Sequence, residues 1–156
     1  MGSFYIKSSA LIGLEASIVR VETDISPGLP KFTIVGLPDA AVSESRERVR
    51  AAIKNSGFSF PRTRVTINLA PASIKKQGPA YDLAIALGIL CANGTIKHRQ
   101  ALKDIIIIGE LSLTGDIKST NGTLLSSILA KKQNISSLMV SKECAEEASL
   151  VSGVNV

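Results

Sequence analysis

The chain has no tryptophan, only two tyrosines and four phenylalanines among 156 residues. Isoleucine, valine, leucine and alanine must therefore fill its core, and stacking platforms for nucleobases are scarce. Only one histidine, His98, is present, in a polar Lys-His-Arg-Gln turn. That excludes a histidine metal cluster and leaves no material for a Ser-His-Asp triad. The two cysteines, Cys91 and Cys144, lack CxxC or Cys/His spacing and fall in separate expected helices, so both are expected as free buried thiols in a reducing compartment. No apolar run approaches a membrane span, and the N-terminus lacks a basic segment leading into a hydrophobic one; a soluble, cytoplasmic protein is expected. No GxxxxGK[ST] phosphate loop occurs, so this stretch cannot grip the β- and γ-phosphates of a nucleotide in the P-loop manner.

What is present suits one globular domain, residues 1–156, with 45% hydrophobic and 20% charged residues. The net charge of +5 favours a polyanionic partner. Phe4 to Ala10 and Ile18 to Ile25 read as a hairpin around Gly13. In its second arm Val19, Val21, Thr23 and Ile25 alternate with polar residues, the two-residue period of a strand with one wet face. A third strand is expected over Lys31 to Val35 and a fourth over Arg64 to Leu69, with a helix from about Asp39 to Asn55 between them. The run Ile105 to Gly109, four isoleucines without alternation, predicts a strand covered on both faces. Leu111 to Ser119 reads as a hairpin, Gly122 to Lys132 as a helix, Ser137 to Val140 as a short strand, and Ser141 to Leu150 as a helix capped by Ser141. Strands first and helices interleaved later argue for an α/β or α+β sandwich with a mixed sheet. The ending Val154-Asn155-Val156 gives no natural close, so a longer parent is expected.

The stretch KKQGPAYDLAIALGIL, Lys75 to Leu90, joins a basic loop and a Gly-Pro turn to a segment apolar on every side. Such a segment is a core helix with no face left for water. Asp82 is placed to cap it by accepting the free N–H groups of the first turn. Lys75 and Lys76 lie near Ser73, but adjacent lysines repel and stay solvated, so a basic loop outweighs a hydrolytic site. Arg46, Arg50 and Lys54 recur at i, i+4, i+8 beside the apolar Val42, Val49 and Ile53, while Arg48 points elsewhere. Together with Arg62, Arg64, Lys75 and Lys76 they are the candidate DNA-binding residues, able to neutralise phosphates without reading bases. The alternatives are a solvated face for the stripe, with Glu44 and Glu47 nearby, or pairing between subunits of a ring.

The blocks VGLP (Val35 to Pro38), SGFSFP (Ser56 to Pro61), TINLAPA (Thr66 to Ala72), YDLAIALGIL (Tyr81 to Leu90) and GELSLTG (Gly109 to Gly115) resemble, in order and spacing, the N-terminal domain of the ComM/YifB family of magnesium-chelatase-like AAA+ ATPases. That domain in turn resembles the proteolytic domain of Lon, a Ser-Lys enzyme with a fold like the second domain of ribosomal protein S5. In Lon a serine follows Gly-Pro at the head of a helix, where backbone N–H groups also stabilise an oxyanion. Here Gly78-Pro79 lead to Ala80, and the position of the general-base lysine falls on Leu124. The resemblance thus implies a degenerate dyad and no proteolysis, with neither cofactor nor metal in this stretch. It implies that an AAA+ module, with its ATP and magnesium, follows residue 156 in a ring-shaped homo-oligomer. For the parent it implies an ATP-driven DNA helicase that promotes branch migration in natural transformation. The alternatives are a purely structural oligomerisation domain and a chelatase accessory subunit acting on a porphyrin, for which no tetrapyrrole ligand set is visible.

Overall fold

Alternation along the N-terminal residues produces a long antiparallel hairpin. In the structure, a computed structural model that describes residues 2–156, strands β1 (Gly2–Ile12) and β2 (Glu15–Ser26) pair without a break from Gly2 opposite Ile25 to Ile12 opposite Glu15. Both strands run longer than the pattern predicts, because the tip residues Leu11, Ile12 and Leu14 are exposed and break the alternation. Strand β3 (Lys31–Val35) crosses over through helices α1 (Ala40–Ser43) and α2 (Ser45–Asn55) to β4 (Arg64–Ala70), which is parallel to β3 and antiparallel to β2. The expected single helix from Asp39 is interrupted at Glu44. Asp39 caps α1, its Oδ1 accepting from Val42 N at 2.8 Å.

The apolar helix α3 (Asp82–Ala92) follows. Ten of its eleven residues are buried, so it is the core element that its composition predicts. Strand β5 (Ile105–Ile107) runs parallel to β1 on one side and to β8 (Ser137–Met139) on the other. The sheet order is β3-β4-β2-β1-β5-β8, a mixed α/β sheet of six strands. Within β5, Ile107 joins the main apolar cluster with α3, whereas Ile106 joins a second cluster with Leu129, Leu138 and Ala148. Successive side chains of a strand point to opposite faces, so this strand is covered twice, as its unbroken isoleucines imply. The hairpin β6 (Glu110–Leu111) and β7 (Ile117–Lys118) stands apart from the main sheet, and α4 (Thr123–Lys132) leads into β8.

At the C-terminal end the structure corrects the expectation. Instead of one helix capped by Ser141 there is a 3-10 turn, Lys142–Cys144, and a single turn α5 (Ala145–Ala148). The Ser141 hydroxyl is buried without a partner rather than capping. Cys91 and Cys144 are free and buried, as expected.

Candidate functional site

The Gly-Pro turn sits where three backbone segments are tied together. Lys76 N donates to Leu37 O, Asp39 N donates to Lys76 O (each 3.0 Å), and Gly78 N donates to Asp39 Oδ2 at 3.1 Å. Ala80 is fixed from the other side, its carbonyl accepting from Gly109 N at 2.9 Å while Gly109 O accepts from Leu83 N at 3.0 Å. The orphan N–H of Leu83 at the head of α3 is thus paired with the β5–β6 segment. A cleft of about 330 Å³ opens here, lined among others by Ser9, Lys75, Ala80, Tyr81, Glu110, Asn121 and Ser126. Ala80 supplies no nucleophile, and the Ser9 and Ser126 hydroxyls bond each other at 2.7 Å. Among the described residues no lysine or histidine hydrogen-bonds a serine hydroxyl. Asn121, just before α4, and Ser126 in its first turn reach the cleft, but the half-buried Leu124 is not part of its lining. Burial, together with the Asp39 charge, pushes the Tyr81 phenol up to about 12, which keeps it neutral at ordinary pH.

Two expectations about this region fail. Asp82 is not a cap. It is the first residue of α3, fully buried, and its carboxylate accepts Ser45 Oγ at 2.5 Å, Arg48 Nε at 2.6 Å, Arg48 Nη2 at 3.1 Å and Leu111 N at 3.1 Å. Arg48, read from the sequence as pointing elsewhere, turns inward, and its hydrogen bond to Asp82 holds its pKa above the ordinary value. The pair locks α2 to α3 and to β6. Lys76, grouped with Lys75 as a solvated DNA contact, is also buried. Its Nζ donates to Pro71 O, and burial lowers its pKa. An inward lysine cannot reach phosphates, so of the two lysines only the exposed Lys75 remains available.

The other candidate cations separate as well. Arg46 is exposed with Nε on Ser43 O at 3.1 Å, and Arg64 is exposed at the start of β4. Arg50, Lys54 and Arg62 come together with Lys31, which the sequence reading missed, around a second and larger cleft of about 690 Å³. Its remaining lining includes Phe32, Phe58, Phe60 and Thr63, and no acidic residue. Phe32 and Phe60 form a tilted pair 5.3 Å apart, with the Arg50 guanidinium 5.8 Å and 5.4 Å from their centroids. Glu47 holds Arg50 in that place, Nη1 to Oε1 at 3.4 Å. Lys31, Lys54 and Arg62 make no ion pair among the described residues. The missed signal lies in SGFSFP, where two phenylalanines follow the end of α2 within reach of cations one and two turns back along it.

A mixed α/β domain with a Gly-Pro turn leading through Ala80 into a buried helix defines the class. Residues 21–144 match the family described as Subunit ChlI of Mg-chelatase, and the chain belongs to that family. It is similar over nearly its whole length to the competence protein ComM of Haemophilus influenzae, 41% identical over 150 residues, covering 96% of this chain and 29% of that protein. It is likewise similar to YifB of Escherichia coli, 40% identical over 148 residues, covering 95% of this chain and 29% of that protein. A more distant likeness is to Lon protease 2 of Herpetosiphon aurantiacus, 23% identical over 133 residues, which cover 81% of this chain and 16% of that protein. The chain thus spans about three tenths of the length of its ComM and YifB relatives. No helix among the described residues is long and apolar enough to cross a membrane.

Proposed function

We propose that this chain is a non-hydrolytic, Lon-like domain of a ComM-type AAA+ protein and that it contacts DNA through its basic cleft. The observation that carries the reading is the convergence of Lys31, Arg50, Lys54 and Arg62 on one concavity without an acidic residue in its lining. Concave walls of one charge sign focus the field on a polyanion and raise its local concentration. On this reading the sandwich is the one shared by Lon and the second domain of ribosomal protein S5. Ala80 takes the nucleophile position of the Lon dyad and Leu124 the lysine position by sequence, although Leu124 does not line the cleft, and the architecture of the turn is kept for rigidity. The ATP-binding motor, with its magnesium, lies in the remainder of a ComM-like parent. That parent is a ring-shaped helicase that promotes branch migration during natural transformation.

Binding should be weak and fall steeply with salt. Replacing Lys31, Lys54 and Arg62 together by alanine should lower the slope of log affinity against log salt by roughly two to three units, at about 0.7 to 0.9 per phosphate neutralised. Fluorescence titrations over a salt series measure this. An unchanged slope removes the cleft from the DNA contact.

A second reading, a structural oligomerisation domain, is favoured by one observation. The β1–β2 tip exposes Leu11, Ile12 and Leu14, the last at 89%, and clustered exposed leucines mark protein contacts. The tip and the basic cleft use different residues, so ring contact and DNA contact are compatible.

A further inference from the structure

Few aromatics in the sequence led to the expectation that bases would find no stacking platform. The fold reverses the premise by bringing three of the four phenylalanines into one cleft. We infer that this cleft is a pocket for a nucleotide of an unpaired strand, with the base stacked on Phe58 and its flanking phosphates held by Lys31, Lys54 and Arg62. The inference rests on the DNA reading above and deepens it.

The roles follow from what each side chain lacks. Phe32 and Phe60 are committed to each other and to Arg50, which Glu47 holds, so these four form the fixed floor. Phe58 is 46% exposed and has no aromatic or cationic partner among the described residues. Phe58 also lines a smaller apolar groove together with Ile53, Leu87 and Ile117. A large exposed ring between unpaired cations suits a ligand that is flat and anionic. The Thr63 hydroxyl, in the same lining, is buried without a hydrogen-bond partner, and such a group is costly unless a ligand satisfies it. A polar edge of a base or sugar provides that partner. The volume of about 690 Å³ lies within the range of ligand sites. Duplex DNA hides the faces of its bases, so the pocket selects unpaired strand.

The absence of tryptophan makes the test direct, because Phe58→Trp introduces a single indole reporter. Titration with an oligothymidylate of roughly ten nucleotides, a length one small module covers, should quench that indole. A duplex of equal length should leave it nearly unchanged. In anisotropy titrations of labelled strands at low salt, Phe58→Ala should lose about 5- to 100-fold in single-strand affinity, the worth of one stacked base, with duplex affinity unaltered. Thermal melts of each variant exclude unfolding as the cause. Thymidine monophosphate at equal nucleotide concentration should quench far less than the strand, because it engages only one phosphate contact. Equal quenching by the monophosphate overturns the assignment to a strand in favour of a free nucleotide. Quenching by polyglutamate but not by oligothymidylate overturns it in favour of an acidic protein segment. Strand and duplex bound alike, with neither Phe58 variant responding, overturn the pocket and leave general DNA contact standing. No binding of either form overturns both.

Discussion

Asp82→Ala should destabilise the domain by about 3 kcal/mol, because removing one partner of a buried ion pair leaves the other uncompensated. The Asp82 carboxylate is fully buried and serves four donors from two segments, α2 and β6, while the Arg48 side chain is only 18% exposed. With the carboxylate gone, Ser45 Oγ and Leu111 N also lose their acceptor, each loss costing about 1 kcal/mol or more when the group stays dry. Arg48 escapes part of the penalty by moving toward solvent, which keeps the figure below the sum. The melting temperature should fall by about 6 to 12 °C for a domain of this size. Combining Asp82→Leu with Arg48→Met should recover much of the loss, since apolar replacements of a buried pair are often neutral. Urea melts of the unaltered chain and the two variants measure the losses in stability, and thermal melts the fall in melting temperature. A loss below about 1 kcal/mol for Asp82→Ala would mean that the pair does not lock α2 to α3.

Gly36→Ala should cost a comparable amount, about 3 kcal/mol, by a different route. Gly36 closes β3 with φ of +105°, and a Cβ there would stand 2.2 Å from the carbonyl oxygen of Leu69 in β4. Backbone in a paired strand cannot step aside as a flexible side chain does, so β3 would have to separate from β4. Gly78→Ala is the control. Gly78 also has a positive φ, +80°, but a Cβ there meets nothing within 4 Å, so it should cost only the left-handed penalty of about 1 to 2 kcal/mol. Equal losses at the two glycines would show that conformation, not the Leu69 contact, dominates. The turn also carries Leu37 at φ +57° and the bridge from Pro38 to Lys76, so a shift there reaches the Gly-Pro turn as well.

Much of the architecture was legible because burial imprints a period. Alternation in β2 and β4, the unbroken isoleucines of β5 and the all-round apolar α3 each have one physical reading, and the fold bears them out. The functional groups were harder to read because local sequence does not name a distant partner. An aspartate that caps a helix and one that binds an arginine 34 positions earlier look the same. Lys75 and Lys76 are chemically identical neighbours, and only the bridge between Pro38 and Lys76 turns one of them inward. The phenylalanine cleft joins residues of β3 to the 57–63 loop, a contact that no window of sequence contains. Lys31 was overlooked for the same reason. The stripe Arg46, Arg50, Lys54 was real as a helix face, yet only its last two members reach the cleft.

The central claim is that nucleic acid meets this domain at the basic cleft and not at the silent Gly-Pro turn or the leucine-tipped hairpin. Amide chemical-shift mapping of the chain during titration with an unpaired oligonucleotide tests it most directly. The account predicts that the shifted amides cluster at Lys31, at the C-terminal turn of α2 around Lys54 and along 57–63, and that they return toward their free positions as salt is raised. Shifts confined to Leu11 to Leu14 or to the turn at Gly78 and Ala80, or no shifts at low salt, would contradict it.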